Sequence, residues 1–560
     1  MIINDKSQEI LAGQLYYIVV DASKDQIIMW NFREISNRNI IFSIKMETNE
    51  EEKIIVLLRC STDEGKYRID KPCKIIMQWD NSYSFIISKT IVYSYKIESN
   101  LLKSHYKGGD SDDEKISNFL NWLSEGDAKY SNLIIKHYKI DNRGVHAKTN
   151  LKKDETILEV PLNLIITNEL AQNSDVNLKL KNSGCTIINN HTWLAAYLLQ
   201  EKYNKKSKWR PYIDILPKYF RHMPIFFDEN ELKYLKGSFT LKMIEDRKES
   251  LKSEYDNIVK CFPEFEKFSY LDFVWARLVV ITRIFGFTVN GHKTEGLVPM
   301  ADMLNHKRPE ETNWTFDQSK MAFTITTTRE LEKGSEIYDS YGRKCNSRYF
   351  VNYGFSLDNN EDNQVAMFFN ISKTDDLYQI KKNLVGSDTK RFQIPFDHKE
   401  YETRNCMSYL RIICANIKEL DPLIKRKNLL RVDPISTRNE SAVLLLISKE
   451  AKRVLDGFET TIEEDDEILQ SDELTMNIRN CILMRRGEKE VLHAYINLAE
   501  KIDKIKDYDL KTLEQYLQRE IYNKDSEPSI KWRTEMYFRE IWIPLVKDIN
   551  LELVEINNNI

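Results

Sequence analysis

Two short stretches carry the side chains best suited to chemistry. Residues 297–306 read LVPMADMLNH, an apolar run that closes on Asp302, Asn305 and His306, and Tyr341 follows in DSYG. A phenol with an ordinary pKa of about 10 gives or accepts a hydrogen bond without carrying charge at neutral pH. No acid pair and no set of metal ligands accompanies these residues. Each also has a plain structural reading. Tyr341 could be an ordinary half-buried tyrosine, Asn305 and His306 part of a loop, and Asp302 a helix cap.

The elements that must position them are legible around both stretches. Tyr341 ends a strand signal, EIYDSYG, and Gly342 lets the chain turn away while the sheet pins the ring. Upstream, ISNFLNWLSE has helical spacing, and NLIIKHYKIDNRGVHAKTNLKKDETILEVPLNLIIT reads as strands broken by Gly144 and Pro161. From 189 to 288 the pattern is helical, with NHTWLAAYLLQEKY and YLDFVWARLVVITRIFGF the long runs, before strands return at MAFTITTTREL. Beyond about 365 it is helical again, clearest in NESAVLLLISKEAKRVLDGF and NIRNCILMRRGEKEVLHAYINLAEKI. In TTIEEDDEILQ a Thr followed by Glu three or four residues on signals a helix start.

Residues 15–98 differ in kind. LYYIVV, IIMWNF, IIFSIKM, IIVLLRC, GKYRID, CKIIMQW and KTIVYSYKI are rich in β-branched and aromatic residues with polar turns between, which predicts an antiparallel sandwich. In the turn WDNSYS, Asp80 and Asn81 suit a tight turn, with Trp79 and Tyr83 expected beneath it. SHYKGGDSDDEK, residues 104–115, reads as a linker.

At 560 residues the chain exceeds one core. Charged residues at 30% and hydrophobic ones at 42%, with a formal net charge of −4, describe a soluble globular protein with no electrostatic bias toward nucleic acid or anionic membrane. No apolar run approaches the roughly 20 residues of a membrane span, and MIINDKSQEI lacks the layout of a secretory signal. Cytoplasmic residence, with nuclear residence also open, is the expectation. The eight cysteines are scattered without a Cys-x-x-Cys, which supports neither a disulfide framework nor a metal site.

Over about 90 residues, MWNF, IIFSIKM, GKYRI and MQWDNSYSFIISKTIVYSYKI, with Ser88, Lys89 and Tyr93, resemble the GOLD domain, which implies a protein-interaction module with a protein partner. The order DNRGVHA, EVP, a helical interruption, DMLNH, LEKGSEIYDSYG and NYGF resembles the SET-domain protein methyltransferases, in the class typified by Rubisco large-subunit methyltransferase and actin-histidine methyltransferase. The implied architecture is multidomain α+β. It comprises a GOLD-like β-sandwich at 1–100, a linker at 101–115 and a strand-rich SET core at 116–365 with its helical insertion at about 189–288. An all-helical substrate-binding-like domain follows at 366–510, with a tail at 511–560.

The resemblance implies S-adenosyl-L-methionine as cofactor, no metal, and a protein substrate. Tyr341 is the expected catalytic residue, at a narrow channel where the target nitrogen meets the sulfonium methyl. Asn142, Arg143 and Gly144 match the first cofactor loop, where Gly144 permits close approach. Arg283 matches an Arg that binds the cofactor carboxylate, against the alternative of a solvated helix-end Arg. Asp302, Met303, Leu304, Asn305 and His306 match the central cofactor motif, with Asn305 expected to accept from the cofactor ammonium. Tyr353, Gly354 and Phe355 match a segment near the adenine or the channel, although Phe355 also suits a plain core.

The actin-histidine branch carries a Trp before its Asp-Met-x-Asn-His and an Asn soon after the matching Arg. Here Ala301 and the run Ile284-Phe285-Gly286 stand in those places, which favours a lysine target on a non-histone protein. A histidine target, or a catalytically inactive GOLD/SET scaffold, is the alternative.

Overall fold

The computed structural model describes residues 2–22, 26–36, 38–48, 52–69, 71–82, 88–99, 112–139, 142–186, 189–426, 431–471, 474–521 and 528–548. Two units separate at Met1–Ser111 and Asp112–Ile560. Most of the expected linker, and Tyr83, lie outside the described residues. Residues 112–115 open the helix Asp112–Glu125 instead of ending the linker. Glu114 falls in its first turn, where a carboxylate complements the helix dipole.

In the first unit the period-two pattern is explicit. Along Cys73–Asp80, Cys73, Ile75, Met77 and Trp79 are buried while their neighbours are less so. One antiparallel sheet runs Ile2–Ile10, Lys89–Ser99, Gln26–Glu34, Thr62–Arg68, and the other Leu15–Ala22, Cys73–Asp80, Ile40–Glu47, Glu52–Cys60. Phe32 from one sheet and Phe42 from the other meet at 4.5 Å, and Trp79 lies 5.1 Å from Phe42, so the two sheets share a core. The strand Ile2–Ile10 carries no apolar alternation that sequence reading could have used, and it forms by pairing along Lys89–Ser99.

In the second unit, Thr156–Pro161, Ala322–Thr327 and Thr312–Asp317 form one sheet, and Ile166–Thr167, His292–Leu297 and Ile284–Val289 another. The helical insertion leaves after Ile166–Thr167 and returns into Ile284–Val289, both paired to His292–Leu297, so it departs from and re-enters one sheet. It begins at Asn168, earlier than the expected 189. The short helices Asn168–Gln172 and Asp175–Asn182 are too polar and brief to show a long apolar stripe.

The C-terminal region is helical but not all-helical. Gln364–Asn370 and Thr389–Pro395 form an antiparallel hairpin, hidden in the sequence because a helix, Tyr378–Val385, lies between its strands. The helix Met476–Ile505 spans about 45 Å. Its Cys481 and Met484 belong to the core of the strand-rich part, and Val491 to Ile505 to the core of the helical part. Beyond 510 the described chain is not a loose tail. Leu513, Leu517, Phe538 and Trp542 are buried in that same helical core, and Tyr537 Oη donates to Glu440 at 2.5 Å. Among the described residues no helix is long and apolar enough to cross a membrane.

Candidate active site

The site forms where Asn305–His306 pairs in parallel with Tyr338–Asp339, which brings LNH against DSYG. The approach is strained. Met300 adopts φ +73°, a conformation uncommon for a residue with a side chain, and it leads into the tight turn Ala301–Met303. Asn142–Ala147 is a strand of the hairpin with Leu133–Lys139 rather than a loop, and nothing is described of the Asn142 side chain.

Asn305 Nδ2 donates to Arg143 O at 3.0 Å and to Glu336 Oε1 at 2.7 Å. Both amide protons are thereby used, and Oδ1 is left as an acceptor with no donor among the described residues. The space above Gly144 is taken by the protein itself: a Cβ there would fall 2.3 Å from both Glu336 Oε1 and Tyr138 Oη. Tyr338 Oη donates to Glu336 Oε2 at 2.7 Å. Arg143 sends its guanidinium to Ile215 O at 2.5 Å.

Arg283, at the end of Tyr270–Arg283, is not a solvated helix-end cation, since its side chain is only 16% exposed. Its Nη1 donates to Asp302 O at 2.7 Å and pairs with Asp302 Oδ2 at 3.2 Å, and Tyr212 Oη donates to that same oxygen at 2.7 Å. Arg283 Nε and Asp302 Oδ1 are buried with no hydrogen-bond partner among the described residues. Met303 and Leu304 are buried, and Leu304 turns its carbonyl toward Tyr341.

Tyr341 is held at both ends. Its N–H donates to His306 Nδ1 at 3.0 Å and its hydroxyl to Leu304 O at 2.9 Å. Burial pushes the phenol pKa up, so it stays protonated. Because His306 Nδ1 accepts, the imidazole proton sits on Nε2, which is buried without a partner. Burial, with Arg308 and Lys344 nearby, lowers the His306 pKa to about 4. Rings close around this pair. His306 stacks on Tyr341 at 5.1 Å, Tyr353 lies 4.9 Å from Tyr341, and Phe355 stacks on Tyr349 at 5.1 Å. Gly354 plays a different part. It is the left-handed cap of Asn346–Tyr353, at φ +77°, and packs on His222.

The structure thus gathers Asn305, His306, Tyr341, Tyr353 and Phe355 directly, ties Arg283 to Asp302, and joins Arg143 through its backbone. Sequence reading missed Tyr138, Tyr212, Glu336, Tyr338, Asp339 and Tyr349. The alternation in EIYD, which sets Glu336 and Tyr338 on one face, was the signal for two of them. Asp339 is buried, its Oδ1 unpartnered, and burial raises its pKa to about 6.

The atoms left without partners are of the right kinds for an amino-acid-bearing cofactor: Asn305 Oδ1 as an acceptor for an ammonium and Arg283 Nε as a donor for a carboxylate. Residues 142–342 match the SET domain family, and residues 372–492 the family described as Rubisco LSMT substrate-binding. Relatives include the actin-histidine N-methyltransferase of Homo sapiens, 26% identical over 446 residues, covering 75% of this chain and 73% of that protein. That of Otolemur garnettii is 27% identical over 404 residues, covering 68% and 67%. Among solved structures, the SET domain of LSMT bound to lysine and AdoHcy superposes with a TM-score of 0.59 at 23% identity, covering 72% of this chain and 96% of that one. Rubisco LSMT bound to AdoMet gives 0.58 at 22%, covering 74% and 97%. These likenesses show the fold, and the two family matches show a SET domain over residues 142–342 followed by a Rubisco LSMT substrate-binding domain over residues 372–492.

Proposed function

We propose that this protein transfers a methyl group from S-adenosylmethionine to a side-chain nitrogen of a protein substrate, lysine in preference to histidine. The observation that carries the reading is the setting of Tyr341. Its one phenolic proton is committed to Leu304 O, so the lone pairs of the oxygen are left to face an entering group. When bound, the cofactor supplies an electrophilic methyl on a sulfonium. Oxygen atoms placed around a partly positive methyl stabilise it through C–H···O contacts, and Tyr341 Oη offers one.

Asn305 Oδ1 would accept from the cofactor ammonium, and the Arg283 nitrogens that Asp302 does not use would donate to its carboxylate. The wall of Tyr341, Tyr349, Tyr353 and Phe355 excludes water. A lysine amine, ordinarily protonated at neutral pH, loses its proton more readily in such a desolvated slot, and a fixed hydroxyl orients the neutral nitrogen. The remaining work is alignment of nucleophile, methyl carbon and leaving sulfur.

Lysine is favoured because Ala301 and the run Ile284-Phe285-Gly286 stand where the actin-histidine pattern has its Trp and Asn. Histidine is the second reading, supported by the extent of the likeness to actin-histidine N-methyltransferases. That likeness also suits a cytoplasmic enzyme with a non-histone target. The GOLD-like unit would bind a protein partner and has no role in the chemistry.

The test is incubation with labelled cofactor and a cell lysate in chelator, followed by peptide mapping of labelled proteins. Label on lysine nitrogen is expected. Label on imidazole would replace the first reading with the second, and no labelled protein would count for an inactive scaffold.

A further inference from the structure

The cations near the turn that follows Tyr341 fall into two groups by their partners. In one, Arg308 and Arg343 share the Asp362 carboxylate, and Arg343 Nη2 also reaches Glu400 at 3.1 Å. In the other are Lys344 and Arg348. Lys344 Nζ donates to Tyr341 O, lies 5.9 Å from the centre of the Tyr353 ring, and has no carboxylate partner among the described residues. Burial and the nearby Arg348 push its pKa down, so the chain spends stability to keep this cation beside the aromatic wall. Arg348 is exposed, and among the described residues its guanidinium makes neither an ion pair nor a hydrogen bond.

Position makes this pair costlier still. Arg348 lies in the first turn of Asn346–Tyr353, Lys344 lies just before it, no acidic residue occupies that turn, and the Cys345 side chain does not cap the helix's backbone N–H groups. Cations at a helix N-terminus oppose the helix dipole. Asn363 Oδ1 caps Asn346 N–H and Tyr341 O receives Lys344, but among the described residues no carboxylate pairs with either cation, which points to one from outside the chain. The outside group must be an anion, and it must sit at the rim of the ring cluster, since Tyr353 touches both Lys344 and Tyr341.

We propose that Lys344 and Arg348 bind a carboxylate side chain of the substrate protein, an Asp or Glu flanking the methylated residue, and thereby select acidic target sequences. This rests on the methyltransferase reading above. Arg343, already neutralised by Asp362 and Glu400, takes no part.

The test uses peptide pools with a central Lys or His and degenerate flanks, in which each flanking position in turn is fixed as Glu, Gln, Lys or phosphoserine. Wild-type protein is expected to show a KM about 10-fold lower for Glu than for Lys at one or two positions, the scale of a single charge-assisted contact. Lys344→Gln and Arg348→Gln should raise KM for the Glu pool by about that factor with a much smaller change in kcat, and Arg348→Glu should reverse the preference toward Lys. Melting of Arg348→Glu at or above the wild-type temperature keeps unfolding from mimicking the result, because a carboxylate suits that helix end.

Equal use of Glu and Lys pools by wild type, or a Glu preference that survives in Arg348→Glu, overturns the proposal and leaves the methyltransferase reading standing. Use of phosphoserine with Glu no better than Gln overturns the carboxylate assignment. Where no pool is accepted, the same variants are compared on the lysate proteins labelled by wild type. If neither pools nor lysate take label, both readings fall together.

Discussion

Tyr341 and Asp339 are two residues apart and answer to the same burial in different ways. Tyr341 keeps its proton and spends it on Leu304 O, so Tyr341→Phe removes an oxygen from the methyl's surroundings while leaving the ring cluster in place. Turnover is expected to fall on the order of 10- to 1000-fold, with cofactor affinity by calorimetry little changed. Asp339 has no such outlet. Its pKa, raised to about 6 by burial, lies above the ordinary value of about 4. Its contribution to stability is therefore fully present below about pH 4 and is lost as pH rises through about 6. Asp339→Asn should match wild type in denaturant melts near pH 4 and exceed it at pH 8 by on the order of 2 kcal/mol. A gap that is the same at both pH values would show that the carboxyl is not the cause.

At the scale of elements, the site depends on how Asn346–Tyr353 ends. Gly354 takes φ +77°, and a Cβ there would lie 2.4 Å from His222 Cδ2 and 2.6 Å from its backbone carbonyl. The next residues are clasped by the long helix. Asn480 Nδ2 donates to Gly354 O at 3.3 Å, its Oδ1 accepts from Ser356 N at 3.0 Å, and Ser356 Oγ donates to Asn480 O at 2.8 Å. Phe355 is thus fixed between two anchored neighbours. Gly354→Ala is expected to destabilise by more than the roughly 1–2 kcal/mol of left-handed strain alone, because backbone stands in the way. Denaturant melts measure this, and activity at a temperature where the variant stays folded should fall as Phe355 shifts.

For the molecule as a whole, the two units and the two cores of the second unit make opposite predictions about truncation. Every residue gathered at the site lies after Asp112, the start of the second unit. A chain beginning at residue 112 should fold and bind S-adenosylmethionine with wild-type affinity by calorimetry. Loss of binding would make the first unit part of the catalytic fold. A chain ending at residue 510 should fare differently, because Phe538 and Trp542 are fully buried in the helical core and Glu440 would lose Tyr537. Each large aromatic removed from a core costs about 3–5 kcal/mol, so this shortened chain should melt early or fail to express in soluble form.

What the sequence determined by itself was local. The strand and helix periods, the Thr461 cap that closes a capping box with Glu464, and the order of motifs that brought Asn305, His306, Arg283 and Tyr341 into one reading all depend on residues a few positions apart or on recurring short patterns. The hairpin split by Tyr378–Val385, the helical packing beyond 510 and the early start of the insertion escaped, because each needs a partner far along the chain. So did most of the support around the site. Nothing near Gly144 announces that Glu336 and Tyr138 fill the space above it, and nothing near Asp302 announces Tyr212. Only the tertiary structure decided these, since a hydrogen bond or ring contact between distant residues is set by the pairing of elements, here the parallel pairing of 305–306 with 338–339, and not by local propensity.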